Sequence, residues 1–153
     1  RNFCNKIWNA ARFAFMNIEN TPRNRLEVAD LPIEDRWILS QVSRAAVEVQ
    51  DALEKFQFSR ASMLARDFFW DCLCDWYLEL VKPRVRDNRR ADEARQVLAF
   101  ALDQSLRLLH PFIPFITERL WRQLKPALPG LAQIRLMETH DSGCVYRGPG
   151  DTP

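Results

Sequence analysis

The sequence predicts an all-α fold, a bundle of about five helices followed by an irregular C-terminal tail. Apolar residues recur at three- and four-residue spacings along most of the chain, which is the helical period. The 153 residues, 47% of them hydrophobic, suffice for one domain with a real core. Toward the C-terminus proline and glycine replace this pattern, as at 129–130 and 148–150. We therefore expect a bundle over 1–127 and a tail over 128–153.

Two amphipathic helices open the chain. The first starts at or before residue 2 and ends near Asn20. The second covers about 33–55 and carries a bundle seam, in which apolar residues step by 4, 3, 4, 3 and 4. The residues of that seam are Ile38, Val42, Ala45, Val49, Ala52 and Phe56.

The third predicted helix, about 59–82, is apolar nearly all round, which predicts that it is the central element. Its one polar stripe places an acid at every fourth position, and such a stripe repels phosphate. A di-iron carboxylate site would need paired Glu-x-x-His steps, which the sequence lacks. We therefore interpret the stripe as solvated or paired with arginines, and Trp76 beside it as buried. The stripe consists of Asp67, Asp71, Asp75 and Glu79.

Two further helices and the tail complete the predicted fold. The fourth helix spans about 88–109 and the fifth about 114–125, with a proline-rich break between them at which His110 has a structural role. In the tail, the pattern of residues 134–137 predicts one short strand, and the sequence shows no second strand to pair with it. We expect 128–153 to be partly disordered.

The charge is distributed unevenly, although the net charge is only +2. Residues 1–25 carry five basic side chains against one acid, and 82–95 carry six against three. Two basic patches on a nearly neutral chain indicate contact with an anionic partner. Solvated loop charge is the alternative, and for 82–95 we favour it.

The four cysteines predict neither disulfides nor a metal site. Cys72 and Cys74 lie two positions apart on a helix and point away from each other, and only two histidines are available. Free thiols fit a reducing cytosol, so we expect a cytoplasmic protein. We find no signal peptide, no membrane-spanning run, and no constellation of residues for catalysis.

The first helix has one unusual residue, Phe13. When the first helix is wound at about 100° per residue, most of its apolar side chains fall within an arc of roughly 160°. Phe13 and Met16 lie outside that arc, among asparagine and basic side chains. An aromatic ring on a basic, amide-bearing face suits stacking of an unpaired base. Cover by a neighbouring helix is an equally good explanation.

Four runs, in this order and spacing, resemble the anticodon-binding domain of valyl-tRNA synthetase, a class I enzyme. They are R-N-F-C-N-K-I-W-N-A-A-R-F (1–13), D-R-W-I-L-S (35–40), F-W-D-C-L-C-D-W-Y-L-E-L-V-K-P (69–83) and H-P-F-I-P-F-I-T-E-R-L-W (110–121). The resemblance covers about residues 1–137. D-R-W-I-L and H-P-F-I-P-F are shared with the isoleucyl and leucyl relatives, whereas N-K-x-W-N-A-A-R-F and C-D-W-Y-L-E-L-x-K-P look specifically valyl.

The resemblance implies that the first helix reads the anticodon of valine tRNA, chiefly its middle adenine and third cytosine. Lys6, Arg12 and Phe13 match the family motif and take over its anticodon-binding roles. From the residues themselves we add Asn9, whose amide suits an adenine or cytosine edge. Phe13 would stack a base, and Lys6 would meet a phosphate or a carbonyl. Asn5 and Met16 are candidate contacts at the rim.

The resemblance also implies a larger enzyme. In the family a catalytic domain with H-I-G-H and K-M-S-K-S motifs precedes the bundle, with an editing domain inserted in it, and a coiled-coil arm follows. The enzyme activates valine with ATP and magnesium and transfers it to tRNA. None of these motifs occurs here, so we expect no catalytic residue, cofactor or metal in this part.

Its expected partners are valine tRNA and those other domains, without membrane or DNA. The alternative is a helical protein–protein module that docks a partner helix on its aromatic, basic face.

Overall fold

The computed structural model describes residues 2–18, 28–86, 91–127, 134–137 and 143–146, and the predicted all-α bundle is confirmed. No helix in these ranges is both long and apolar enough to span a membrane. The helices are α1 (Asn2–Ile18), α2 (Ile33–Glu54), α3 (Phe58–Asp67), a π-helical segment (Phe68–Tyr77), α4 (Leu78–Val81), α5 (Ala91–Leu109) and α6 (Pro114–Ala127). Short 3-10 turns cover Val28–Asp30 and Arg84–Arg86.

The bundle seam of α2 is confirmed except at its last residue. Five of its six predicted members are buried, but Phe56 is 79% exposed. The helix ends at Glu54, and Phe56 adopts a left-handed conformation with φ of 56°. The amide of Gln57 then donates to the carbonyl oxygen of Ala52 at 2.8 Å, which closes the helix end. This reversal turns the Phe56 ring out of the bundle.

The extent of the third predicted helix is confirmed, because the chain is helical from Phe58 to Val81, but two of its features differ from the prediction. Its middle ten residues, Phe68–Tyr77, form a π-helix, in which backbone hydrogen bonds span five residues instead of four. It is also not the central element, because one of its faces meets solvent. Trp76, predicted to be buried, is 64% exposed, and Leu80 is 46% exposed. Its buried residues, such as Phe69, Leu73 and Tyr77, lie on the opposite face.

The central element is α5. Eleven of its residues are buried, among them Val97, Leu98, Ala101 and Leu102. It contacts α1, α2, α3, α6 and the π-helical segment. Alanines at its contact positions, such as Ala94 and Ala101, leave room for close approach of neighbouring helices. α5 therefore fixes the position of α1.

A buried charge network joins three elements at one end of the bundle. Asp35, on α2, is fully buried, and Arg84 donates to its two oxygens at 2.7 Å each. The Tyr77 hydroxyl donates to the same carboxylate at 2.8 Å. Burial, reinforced by Asp35, raises the pKa of Tyr77, and the hydrogen bonds to Asp35 raise the pKa of Arg84. The Asp35 carboxylate thus receives hydrogen bonds from two other segments and joins them to α2.

His110 has the predicted structural role at the corner between α5 and α6. Its Nδ1 lies 2.9 Å from the hydroxyl oxygen of Thr117, which itself donates to the carbonyl oxygen of Ile113 at 3.0 Å. These bonds tie the end of α5 to the first turns of α6.

In the tail, the structure contains the strand predicted at 134–137 and a second strand that the sequence pattern did not reveal. β1 (Ile134–Met137) pairs antiparallel with β2 (Gly143–Tyr146), with Ile134 opposite Tyr146. The second strand, G-C-V-Y, is only four residues long and begins at a glycine, so it carries a weak strand signal. The predicted disorder concerns 128–133, 138–142 and 147–153, which lie outside the described residues.

The three cysteines with described side chains, Cys4, Cys72 and Cys74, are all free thiols. Cys74 is buried, and burial raises its pKa to about 12, with Lys6 opposing the rise. At pH 8 only about one molecule in ten thousand then carries the reactive thiolate at this position.

We expect iodoacetamide to alkylate half-buried Cys4 roughly a hundredfold or more faster than Cys74, as measured by peptide mass mapping. Both thiols should react alike in urea; equal rates in the native protein would contradict the burial of Cys74.

Candidate nucleic-acid interface

One strip of α1 faces solvent along the whole helix. We call it the α1 strip; it consists of Asn2, Asn5, Asn9, Arg12 and Met16, all of which are exposed. On the other side of the helix Ile7, Ala11, Ala14 and Ile18 are buried against α5 and α6. The apolar arc of the sequence therefore faces the core, and the amide and guanidinium groups face solvent.

The structure separates the predicted contact residues into two groups. Asn9 and Arg12 lie on the α1 strip, together with the rim candidates Asn5 and Met16. Lys6 and Phe13 are both half-buried and lie at the border of the strip.

The structure supports part of each explanation for Phe13, namely stacking of a base and cover by a neighbouring helix. Its ring packs against the hydrophobic core, yet it remains partly accessible to solvent. Its backbone carbonyl accepts a hydrogen bond from the Asn17 amide at 2.7 Å, which fixes the turn that carries it. A ring held on one side by the bundle and open at its other parts is pre-organised for a stacking contact.

Lys6 is held by two neighbours. Its ammonium group lies 2.5 Å from a carboxylate oxygen of Asp75 and 3.9 Å from the centre of the Trp70 ring. Trp70 in turn stacks on Phe3, with ring centres 6.0 Å apart and planes inclined by 18°. The ammonium has three N–H groups, so one remains able to donate to a further acceptor. Lys6 is therefore positioned, but its charge is already balanced.

The acidic stripe lies along this same side of α1. The stripe was predicted to be solvated or paired with arginines, and both occur: Asp71, Asp75 and Glu79 are exposed. The Asp67 carboxylate lies 2.7 Å from Arg66. Asp75 pairs with Lys6, and Glu79 pairs with Lys82 at 2.5 Å. A cleft of about 650 Å³ opens here, lined by Asn2, Phe3, Arg66, Asp67, Trp70 and Asp71. Two carboxylates in its wall make it unfavourable for phosphate.

The opposite side of α1 is basic and aromatic. A groove of about 340 Å³ separates α1 from α6; we call it the α1–α6 groove. The guanidinium of Arg119 lies over the Trp8 ring at 5.2 Å from its centre, a cation–π contact at the edge of this groove. The groove is lined by Trp8, Arg12, Phe15, Leu120 and Gln123.

Sequence reasoning missed Trp8 and Arg119 as candidates. Trp8 falls within the apolar arc of α1, so the pattern assigned it to the core, whereas the structure leaves it half-buried. Arg119 stands in the T-E-R-L-W run, outside the two basic patches that the charge distribution reveals. The contact between them depends on how α6 packs on α1, which the spacing of residues in the sequence does not specify.

Three cations of the second basic patch, 82–95, form ion pairs within the bundle. Lys82 pairs with Glu79, and Arg84 pairs with Asp35 and lies 3.2 Å from Glu34. Arg95 lies 3.3 Å from Asp92 and donates to the carbonyl oxygen of Val85. The favoured interpretation of this patch as solvated loop charge therefore fits exposed Arg86 but not the three paired cations. Residues 87–90 lie outside the described residues.

Across the part of the chain that the structure describes, no group of three histidine, cysteine or acidic side chains is arranged to hold a metal ion. The functional groups that the α1 strip and its borders expose are amides, guanidinium groups and aromatic rings.

Most of this chain is similar to known proteins of one family. Residues 35–140 match the family described as the anticodon-binding domain of tRNA ligase. The chain is 48% identical over 129 residues to the valine–tRNA ligase of Rhodopirellula baltica, covering 84% of this chain and 12% of that protein. It is 49% identical over 129 residues to the enzyme of Dehalococcoides mccartyi, covering 84% of this chain and 14% of that protein.

A third relative, the valine–tRNA ligase of Thermotoga maritima, is 46% identical over 127 residues, covering 83% of this chain and 14% of that protein. The chain thus spans only 12–14% of the length of these three relatives.

Proposed function

Since this chain belongs to the family of anticodon-binding domains of tRNA ligases, we propose that it recognises the anticodon of valine tRNA within a valine–tRNA ligase. The observation that carries this proposal is the α1 strip, an exposed row of amide and guanidinium groups on a helix whose other face is buried. The partly accessible Phe13 ring at its border adds a stacking surface.

Each residue has a role that follows from its surroundings. Phe13 stacks a base that is turned out of the anticodon loop. Asn9 offers both a donor and an acceptor, the pair that an adenine edge requires. Arg12, exposed and without a carboxylate partner among the described residues, stacks on or bonds to the same loop.

Lys6 has a narrower role than its charge alone suggests. The sequence left open whether it meets a phosphate or a base carbonyl. Because Asp75 lies 2.5 Å away, a phosphate placed at Lys6 would be repelled by that carboxylate. A neutral carbonyl oxygen suffers no such repulsion and can accept the remaining N–H. We therefore assign Lys6 to a base edge.

At the level of the whole enzyme, we propose that valine is activated with ATP and magnesium in a separate catalytic domain. The relatives are named valine–tRNA ligases, and this chain spans a small share of their length. Its contribution would be recognition alone, with the catalytic, editing and coiled-coil domains as partners in the same enzyme.

The test is titration of the chain with the anticodon stem-loop of valine tRNA, followed by tryptophan fluorescence. Trp8, on α1 at the groove, and Trp70, beside Lys6 on the other side of α1, provide the signal. We expect the native loop to bind about tenfold or more tightly than a loop whose middle adenine is replaced, because a good base contact discriminates by about 1–3 kcal/mol. Equal affinity for the two loops would refute anticodon reading by this chain.

The alternative, a module that docks a partner helix, has one observation in its favour. Trp76 and Leu80 form an exposed apolar pair on the outer face of the segment Phe68–Val81. Salt separates the two functions, because RNA binding weakens steeply as salt rises and apolar docking does not.

A further inference from the structure

We propose that the α1–α6 groove binds the phosphate and ribose backbone of the RNA whose bases are read on the α1 strip. This inference rests on the proposed function and adds a second contact surface to it, with Arg119 as its principal residue. The groove lies on the side of the strip opposite to Lys6 and Phe13.

The first argument is the charge difference between the two sides of α1. On the side of the π-helical segment, two carboxylates, Asp67 and Asp71, line the cleft with one cation, Arg66. Asp75 balances the charge of Lys6 beside it. On the side of α6, the described residues that line the groove include no carboxylate. An RNA backbone carries one negative charge per nucleotide, so it is repelled from the first side and favoured on the second.

The second argument is the geometry of Arg119. Its guanidinium is held 5.2 Å from the centre of the Trp8 ring, yet the residue as a whole is exposed. This cation–π contact uses no hydrogen bond of the guanidinium, so its N–H groups keep their capacity to donate. They remain available to two phosphate oxygens. The Trp8 ring reduces the freedom that this side chain would lose on binding.

The third argument is the continuity between the groove and the strip. Arg12 belongs to both, since it is exposed on the α1 strip and also lines the groove. Exposed Gln123 lies on the opposite wall and supplies an amide for a ribose hydroxyl or phosphate. A nucleotide can therefore place its base on the strip and its phosphate in the groove without crossing an acidic surface.

The test compares Arg119→Glu with Arg60→Glu in titrations of the valine anticodon stem-loop at several salt concentrations. Arg60 is exposed on α3, which does not border the groove, so the second variant matches the charge change elsewhere. We expect Arg119→Glu to weaken binding by about tenfold or more. The slope of log Kd against log salt should fall by about one for each phosphate that the variant no longer neutralises. Arg60→Glu should change both quantities much less.

A second loop, with the middle adenine replaced, distinguishes this proposal from the proposed function. Arg119→Glu should weaken both loops equally, because backbone contacts do not depend on base identity. A changed ratio between the loops, or an effect no larger than that of Arg60→Glu, would overturn the groove as a backbone site. If the native chain binds both loops equally while the Arg119 effect persists, anticodon reading fails and the groove stands. If the native chain binds neither loop, both anticodon reading and the groove as a backbone site are overturned.

Discussion

Replacing Arg84 with alanine is expected to lower the free energy of unfolding by about 3–5 kcal/mol, the usual cost of leaving a buried charge without its partner. Asp35 is fully buried and receives two bonds from Arg84 at 2.7 Å. Without the guanidinium, only the Tyr77 hydroxyl would remain as a described side-chain donor to this carboxylate. Urea unfolding followed by circular dichroism measures the loss.

The chain provides a matched control for this experiment two residues away. Arg86 belongs to the same 3-10 turn as Arg84 but is exposed, so Arg86→Ala should change the free energy of unfolding by less than about 0.5 kcal/mol. Tyr77→Phe should fall between the two, at about 1–3 kcal/mol, because it removes one hydrogen bond to a charged group. If Arg84→Ala and Arg86→Ala have similar effects, the Asp35 carboxylate must be solvated.

Replacing Phe13 with alanine is expected to have the largest effect on RNA binding. Loss of a base-stacking ring costs about 1–3 kcal/mol, so affinity for the valine anticodon stem-loop should fall by roughly tenfold to a hundredfold. Phe13 is only half-buried, so the loss of stability should stay well below the roughly 3–5 kcal/mol typical of a fully buried phenylalanine. Titration and urea unfolding of the same variant separate the two effects.

Phe58→Ala is the appropriate control for Phe13→Ala. Phe58 is 59% exposed on α3, away from α1, and should be replaceable without change in RNA affinity. If Phe13→Ala instead loses several kcal/mol of stability and binds RNA like the native chain, the ring is a core residue. The stacking role would then have to be abandoned.

The sequence predicted α1 well because one helical period determines which of its residues face the core. It could not determine the surroundings of residues at the border of that face. Phe13 lies outside the apolar arc, and whether its ring is open or covered depends on which helix packs beside α1. The structure gives an intermediate result, a half-buried ring, that neither explanation had anticipated.

The errors in the third predicted helix have a different physical origin. Hydrogen bonds that span five residues move successive side chains out of phase with a regular α-helix, so a wheel drawn at about 100° per residue misplaces them. The burial of Trp76 was predicted from its hydrophobicity, whereas the packing of this segment leaves one face to solvent. The pairing of Asp75 with Lys6 likewise joins residues 69 positions apart, and no local pattern encodes it.

In the proposed complex with RNA, the small residues on the buried face of α1 determine how the entropy cost of binding is divided. Ala10, Ala11 and Ala14 are at most 6% exposed, and an alanine side chain has no rotamers to lose. The backbone of α1 therefore enters the encounter already in its final position. On the protein side, ordering is left mainly to the long exposed side chain of Arg12, because Arg119 already lies over the Trp8 ring. The greater share falls on the anticodon loop, whose bases must leave their own stack, so the stiffness of the loop contributes to the selectivity of a rigid protein surface.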